Sequence, residues 1–192
     1  MSGLPAAPPG ALPDQIARTE RLRLRVVTED DAPVHLALVN DPTFIEFIGD
    51  RQQRTLDDAR RALADGPLAM LARHGHSMYM VELHDGTPIG FCGLLKREAL
   101  DYVDLGYAFL PAWRAQGYAL EAAQATVRHA VALGITPLAA ICNPNNAASI
   151  GLLLKLGFRF ARNVVLEVGR PLNLYLLDLQ DGYAQTLHAT VE

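Results

Sequence analysis

The sequence predicts an α+β fold in which helices flank an antiparallel meander of strands. The first observation is an alternation of polar and apolar residues with a period of two at residues 21–26, which is typical of a half-buried strand. The second is a group of three strand-like segments between residues 78 and 110, of which the first two are joined by a tight turn. The third is the helical spacing of apolar residues on both sides of that group.

One strand and two helices are predicted before the meander. Three arginines of the strand share a face that we expect to be solvated, the alternative being a basic stripe that meets an acidic substrate: Arg21, Arg23 and Arg25. Thr28 and the acidic residues after it predict the start of a helix that ends before Pro42. Thr55 predicts a second capped helix, which residues 65–67 should interrupt.

The meander itself and the elements after it have clear boundaries. Its three strands are predicted at residues 78–83, 89–95 and 101–110. Apolar residues at helical spacing from Leu120 to Val131 predict a helix, and Gly134 supplies a left-handed stop after it.

Length and composition predict a single globular domain. The chain has 192 residues, of which 50% are hydrophobic and 20% charged, and both signs of charge are interspersed. We expect the domain to cover residues 17–180, between a flexible N-terminal lead-in at residues 1–16 and a C-terminal tail at residues 181–192.

The charge and the cysteine content exclude several classes of protein. A net charge of -4 and a pI near 5.8 disfavour binding to nucleic acid. No segment has the ~18 apolar residues that a membrane span needs. Two isolated cysteines indicate neither a disulfide scaffold nor a zinc ribbon, and His74 and His76 lack a third ligand nearby. We therefore expect a cytoplasmic protein without a metal.

The segment from Phe109 to Ala119 predicts an anion site. It joins a strand to a strong helix through a short loop, and unpaired amides and the positive end of the helix dipole converge at such a helix start. Gly117 lets a phosphate approach the backbone closely. Neither a GxxxxGK loop nor a GxGxxG fingerprint is present, so the ligand is a phosphate ester other than a nucleoside triphosphate or a dinucleotide. By itself, such a loop could also be an ordinary strand-to-helix turn.

Two motifs in order resemble the GNAT acetyltransferase superfamily. Residues 114–119, Arg-Ala-Gln-Gly-Tyr-Ala, resemble its pyrophosphate motif Q/R-x-x-G-x-G/A. Downstream, residues 146–150 and the Lys-Leu-Gly-Phe at residues 155–158 resemble the second signature in its RimJ/RimL-like form. With the opening strand, the resemblance spans about residues 17–179.

The resemblance implies a mixed, mostly antiparallel sheet of six to seven strands with flanking helices, splayed between the fourth and fifth strands. Pantetheine would lie in that gap and contact the backbone of Phe109 and Leu110. The pyrophosphate would be held by Arg114, Ala115, Gln116, Gly117, Tyr118 and Ala119. The other side of the cofactor would be lined by Asn146 and Ser149.

The family's reaction implies an acid and a base. A free amine attacks the acetyl thioester directly, so the amine must lose a proton and the leaving thiolate must gain one. Many members supply the acid as a tyrosine at a position that is Leu153 here. We expect Ser149 to replace it, the alternative being a hydroxyl that caps its own helix turn.

Asp104 is the candidate for the base, because a carboxylate in the interior of an apolar strand is unusual. The alternative is that it faces solvent or pairs with Arg97. Three other acids compete for the role: Glu46, Glu82 and Glu98.

The resemblance therefore implies an acetyl-CoA-dependent N-acetyltransferase, with acetyl-CoA as cosubstrate and a protein N-terminus or a small amine as acceptor. The alternative is a non-catalytic domain that binds acyl-CoA. This alternative stays open because Leu153 stands where many members carry the tyrosine acid. The identity of the acceptor and the oligomeric state stay open, with a homodimer among the alternatives.

Overall fold

The computed structural model describes residues 15–167 and 170–179, and within them the chain forms one mixed sheet of eight strands. The strands are β1 Gln15–Arg18, β2 Leu22–Val26, β3 Met78–Leu83, β4 Pro88–Lys96, β5 Val103–Phe109, β6 Leu138–Cys142, β7 Arg159–Glu167 and β8 Arg170–Leu177. Their spatial order is β1-β2-β3-β4-β5-β6-β8-β7. The predicted fold class is confirmed, with one strand more than expected.

That additional strand, Gln15–Arg18, crosses the predicted boundary between the lead-in and the domain. β1 pairs antiparallel with β2, with Arg18 opposite Arg23. Its residues alternate weakly, so no period of two marked it as a strand. The rest of the lead-in, residues 168–169 and the predicted tail lie outside the described residues.

Six helices flank the sheet in the described part of the chain. They are α1 Ala32–Val39, α2 Pro42–Phe47, α3 Leu56–Leu63, α4 Ala69–His74, α5 Tyr118–Ala132 and α6 Ala147–Lys155. Thr55 begins α3 as predicted, because its hydroxyl accepts from the Asp58 N–H while the Asp58 carboxylate accepts from the Thr55 N–H. The predicted interruption at residues 65–67 is correct in part, because the α-helix ends at Leu63 but the chain stays helical. Residues 64–68 form a π-helical turn that accommodates Pro67 and joins α3 to α4.

The sheet opens between β5 and β6. These two strands form the single parallel pair among the described strands, and they are in register at one point, where Asp104 lies opposite Ala139. All other neighbours pair antiparallel over several residues. Beyond Asp104 the two strands diverge toward their carboxyl ends, which confirms the predicted splay.

Two hydrophobic clusters cover the two faces of the sheet. Successive side chains of a strand point to opposite faces, so Tyr79 and Cys92 lie on one face and their neighbours Met80 and Phe91 on the other. The first face packs against α5 and α6, and the second packs against α1 and α3. The splay therefore connects the α5 side of the sheet to the α1 side. Within the described residues, no helix is both long and apolar enough to cross a membrane.

The prediction of a solvated arginine face on β2 is correct only in part, because the arginine side chains are partly exposed but ion-paired. The register of β2 with β3 places Arg23 opposite Glu82, and the buried Glu82 carboxylate pairs with both Arg23 and Arg25. Arg25 also pairs with Asp31 at 2.8 Å, and these two carboxylates hold the pKa of Arg25 well above its usual range. Arg21 pairs with Glu121 of α5. The acids of these ion pairs come from neighbouring elements, which the local sequence of β2 does not reveal.

Candidate active site

The start of α5 has the geometry of an anion site. Two residues of the loop before it have left-handed backbone, Ala115 with φ 57° and Gly117 with φ 85°, and Gly117 is the N-cap of the helix. No side chain caps this end. The N–H of Glu121 bonds to the carbonyl of Gly117, so the N–H groups of residues 118–120 precede the first intrahelical bond and face the loop. This end of α5 is therefore suited to bind a phosphate group.

Arg21 places a cation against this loop. One guanidinium nitrogen donates to the Gln116 carbonyl at 3.1 Å, and the guanidinium carbon lies 4.4 Å from the centre of the Tyr118 ring. A Cβ on Gly117 would come within 3.2 Å of the same guanidinium. Burial opposes ionisation of Glu121, but hydrogen bonds from Thr19 and Arg21 lower its pKa below the ordinary value. Sequence reasoning missed Arg21 because the contact spans about a hundred positions of the chain.

The side chains of the loop bind the protein itself. Arg114 donates from Nε to the Phe109 carbonyl at 2.8 Å, and its Nη2 pairs with Asp41 at 2.6 Å. Gln116 donates to the Ala112 carbonyl. The N–H of Leu110 donates to the Ile89 carbonyl at 3.0 Å. This N–H, which was predicted to contact pantetheine, is therefore already used in a hydrogen bond within the protein. What the loop offers to a ligand is its backbone, with Arg114 holding its shape.

A groove of about 600 Å³ runs from this loop along α6 to the splay. Of the predicted cofactor residues it is lined by Phe109, Arg114, Ala115, Gly117, Ala119, Asn146 and Ser149. The groove is not lined by three other predicted cofactor residues, Leu110, Gln116 and Tyr118. We refer to this space as the loop groove.

A second cavity of about 540 Å³ lies on the α1 side of the sheet. Its walls come from α1, α2, α4 and the centres of β4 and β5, and we refer to it as the α1 cavity. The residues that line both spaces are Phe44, Phe47, Ile48, Tyr107, Ala108, Asn146 and Ser149. The two spaces therefore meet at the splay, beside Ser149.

The Ser149 hydroxyl is held by Tyr107 at this junction. The two hydroxyl oxygens are 2.8 Å apart. Asn146 caps α6 by accepting from the Ser149 N–H at 3.0 Å, so Ser149 does not need to cap its own turn. Burial raises the pKa of Tyr107 well above its usual range, and the hydrogen bond with Ser149 offsets only part of that rise. Tyr107 is therefore neutral. Either hydroxyl can donate in its contact with the Ser149 Oγ, and the Tyr107 hydroxyl also donates to the Ser149 backbone carbonyl at 3.3 Å.

Sequence reasoning did not select Tyr107. The available signal was its hydroxyl on a strand face that otherwise carries Val103, Leu105 and Phe109. Cys142 lies nearby at the end of β6, where burial raises the pKa of its thiol and Ser149 partly offsets the rise. Leu153 occupies the position at which, by the resemblance, many family members carry a tyrosine. It is buried in the core, with 1% of its surface exposed.

Asp104 lies in the wall of the α1 cavity. It is 1% exposed and pairs with Arg97 at 3.0 Å. Burial raises the pKa of its carboxyl above the ordinary value, and the Arg97 charge offsets part of the rise. Of the competing acids, Glu82 is committed to two arginines, and neither Glu46 nor Glu98 lines the cavity or the groove. Asp104 is thus the carboxylate that borders the space next to the splay.

The described residues contain no group of three or more histidine, cysteine, aspartate or glutamate side chains that could hold a metal ion. His74 and His76 stack on each other with ring centres 5.9 Å apart. His76 is buried and lies 3.2 Å from the Leu94 carbonyl, so it is part of the packing between α4 and β4.

Comparison with known proteins decides the family. The model of the acetyltransferase (GNAT) domain matches residues 21–159. The chain belongs to the GNAT acetyltransferase family. It is an acetyltransferase whose cosubstrate is acetyl-CoA, as the resemblance implied. The N-acetyltransferase YoaA of Bacillus subtilis is 27% identical over 165 residues, which cover 81% of this chain and 91% of YoaA.

Two solved structures share the fold. RimJ of Mycobacterium smegmatis in complex with CoA-disulfide has a TM-score of 0.71 at 22% identity, with 88% of each chain covered. An acetyltransferase of Salmonella typhimurium, which modifies the N-terminal serine of ribosomal protein L7/L12, has a TM-score of 0.72 at 18% identity, with 86% of this chain and 99% of that chain covered. These neighbours confirm the predicted RimJ/RimL-like GNAT fold.

Proposed function

We propose that this GNAT protein transfers acetyl from acetyl-CoA to a primary amine by direct attack, with the cofactor in the loop groove and the acceptor in the α1 cavity. The observation that supports this assignment is the meeting of the two spaces at Ser149. A two-substrate transfer requires a phosphate site on one side of the reacting centre and a separate entrance for the amine on the other.

The loop groove fits CoA by its donors. The N–H groups at the start of α5 would hold the pyrophosphate, while the left-handed Gly117 keeps the approach open. Arg21 would add a positive charge at the edge of the same site. The splay between β5 and β6 would receive the pantetheine arm.

Proton transfer is divided between the two sides of the splay. The amine forms a C–N bond to the acetyl carbon and loses a proton to Asp104 through water, while the C–S bond breaks and the thiolate takes a proton from Ser149. Either hydroxyl of this pair can donate, and we propose that Tyr107 donates to the Ser149 Oγ, which leaves the serine O–H to point at the sulfur. The proton that Asp104 takes up returns through water to the serine oxygen, so both groups are restored. Tyr107 is a positioning residue in this proposal, because it acts through its contact with the Ser149 hydroxyl.

The acceptor class is proposed from chemistry as a protein N-terminus or a small primary amine. The Salmonella neighbour acts on an N-terminal serine, which supports the first of these. We place the protein in the cytoplasm as a monomer or a homodimer, since acetyl-CoA is a cytoplasmic metabolite and both cysteines are free and buried.

Leu153 favours a second candidate, a domain that binds acyl-CoA without turnover, because it removes the tyrosine that many relatives use. The Tyr107 and Ser149 pair supplies hydroxyls at the same junction, so we favour the transferase.

Calorimetric titration of acetyl-CoA, followed by an assay of thiol release with a panel of amines, distinguishes the two. Micromolar binding with amine-dependent release supports the transferase, whereas binding without release on any amine supports the second candidate. Absence of binding would contradict both.

A further inference from the structure

We propose that Asp41 is a positioning residue that couples the two substrate sites, so that CoA in the loop groove favours binding of the acceptor in the α1 cavity. The coupling runs through the ion pair between Asp41 and Arg114. This inference rests on the proposed function, because it takes the two spaces as the sites of CoA and of the acceptor. It concerns how one site affects the other, and it can fail while acetyl transfer itself is confirmed.

Helix α2 belongs to the walls of both spaces. Phe44 and Phe47 of this helix, and Ile48 directly after it, line the loop groove and the α1 cavity. None of the six residues of α2 is fully buried, and Phe44 packs partly buried against the cluster on the α1 side of the sheet. A short helix with so little core packing depends for its position on the contacts at its ends.

The first turn of α2 is held by a residue of the loop before α5. Asp41 is the N-cap of α2, and its Oδ1 accepts from the Phe44 N–H at 3.1 Å. The same oxygen accepts from Nη2 of Arg114 at 2.6 Å, and the Asp41 side chain is only 9% exposed. Arg114 also donates from Nε to the Phe109 carbonyl at 2.8 Å. One carboxylate oxygen therefore connects α2 to the end of β5 and to the loop.

A ligand that fixes the loop therefore also fixes α2. Ala115 and Gly117, next to Arg114, have left-handed backbone, and a pyrophosphate bound at the start of α5 would restrict the conformations of this loop. The other end of α2 is tied to β8, because the Ile48 carbonyl accepts from Arg170 at 3.1 Å. Once CoA has ordered the shared wall, the acceptor no longer bears that entropic cost, and the coupling acts equally in both directions.

Amide hydrogen exchange in α2, with and without saturating CoA, tests the coupling on the full chain. The N–H groups of Ile45, Ile48 and Gly49 donate to the carbonyls of Asp41 and Phe44, so their exchange reports opening of this helix. We expect CoA to slow their exchange by about fivefold or more in the wild-type protein. Most of this slowing should be lost in Asp41→Ser, because serine keeps a capping hydroxyl but removes the carboxylate that binds Arg114.

Asp50→Ser is the matched control. It removes an ion pair of the same length, 2.6 Å between Asp50 and Arg54, which lies just beyond α2 and does not involve the loop. CoA should slow exchange in this variant as it does in the wild-type protein. If CoA binds but leaves the wild-type exchange unchanged, or slows it fully in Asp41→Ser, the inference is overturned while the transferase stands. Should Asp41→Ser not fold, Asp41→Asn keeps the shape of the side chain and takes its place.

Steady-state kinetics gives a second readout once an acceptor is known. At saturating acetyl-CoA, Asp41→Ser should raise KM for the acceptor by about fivefold or more with little change in kcat, because Ser149 and Asp104 are untouched. Asp50→Ser should leave KM unchanged. A lower kcat at unchanged KM in Asp41→Ser would overturn the inference. Absence of CoA binding to the wild-type protein is a separate result, which overturns the proposed function first and this inference with it.

Discussion

The loop groove and the α1 cavity meet at one serine but are built in different ways. The groove begins at the start of α5, where we propose that backbone N–H groups bind phosphate and where one glycine and one helix start determine the geometry. The cavity is made of side chains from α1, α2, α4 and the strands, which are separated by many positions in the chain. The difference explains why one substrate could be inferred from a short motif and the other could not. Backbone sites need few residue types in fixed order, whereas side-chain walls tolerate many combinations.

The largest expected effect tests the backbone site. Gly117→Val introduces a β-branched residue at φ 85° and a Cβ within 3.2 Å of the Arg21 guanidinium. We expect acetyl-CoA affinity to fall by roughly 10³-fold, which corresponds to about 4 kcal/mol. Isothermal titration calorimetry measures the acetyl-CoA affinity of the variant and of the wild-type protein.

Gly134→Val is the matched control for backbone strain. Gly134 has φ 70° after the C-terminus of the same helix, with nothing within 4 Å of a built Cβ. It should lose stability on thermal unfolding to an extent similar to Gly117→Val while it keeps its acetyl-CoA affinity. Equal losses of affinity in both variants would show that strain, not the phosphate site, is responsible.

The next effect tests the junction. Ser149→Ala should lower kcat by about 10²-fold or more with little change in acetyl-CoA affinity, because it removes the proton donor to the thiolate. Ser149→Thr keeps a hydroxyl and should retain part of the activity. Steady-state kinetics with a good acceptor gives kcat for both variants. Wild-type turnover in Ser149→Ala would show that another group protonates the thiolate.

Asp104→Asn tests the acceptor side through pH. A base acts when it is ionised, so wild-type kcat/KM should fall as pH drops through the raised pKa of Asp104. The variant should lose about 10²-fold near neutral pH and lack this acid limb. The limb from protonation of the amine itself should remain in both proteins.

Arg97→Gln separates a base from a structural ion pair. Removing the Arg97 charge leaves the Asp104 carboxylate in place and raises its pKa further. If Asp104 is the base, the acid limb therefore moves to higher pH in this variant. If the acid limb of the kcat/KM profile stays at the same pH in Arg97→Gln and is still present in Asp104→Asn, Asp104 has a structural role and is not the base.

The smallest expected effect concerns the edge of the phosphate site. Arg21→Gln should weaken acetyl-CoA binding by about tenfold and reduce its dependence on salt, since one cation beside the phosphates is lost. Glu121 would then be left without its partner. The double variant with Glu121→Gln removes that charge, and recovery of full affinity in it would show that Arg21 acts only by neutralising Glu121.

Much of the architecture followed from local patterns, because strand alternation and capping residues act over short distances. The capping box at Thr55 is an example, whereas the splay between β5 and β6 was implied by the resemblance to the GNAT superfamily. Predictions that depended on distant partners were wrong or incomplete. The buried carboxylate of Glu82 pairs with two arginines of the predicted solvated face, and Tyr107 of β5 contacts Ser149 of α6.

The candidate site divides in the same way. Gly117 and Asn146 could be selected from motifs because their roles are fixed by the backbone next to them. The walls around Met70 and Phe91 carry no motif, since any apolar side chains of suitable volume would form them.

The most direct measurement is a crystal structure of the protein with CoA and the acceptor that the thiol-release assay selects. The account predicts pyrophosphate oxygens within about 3.2 Å of the N–H groups at residues 118–120, the sulfur beside the Ser149 hydroxyl and the amine in the α1 cavity. Phosphates bound away from the start of α5, or an amine that reaches the sulfur from another side, would contradict it.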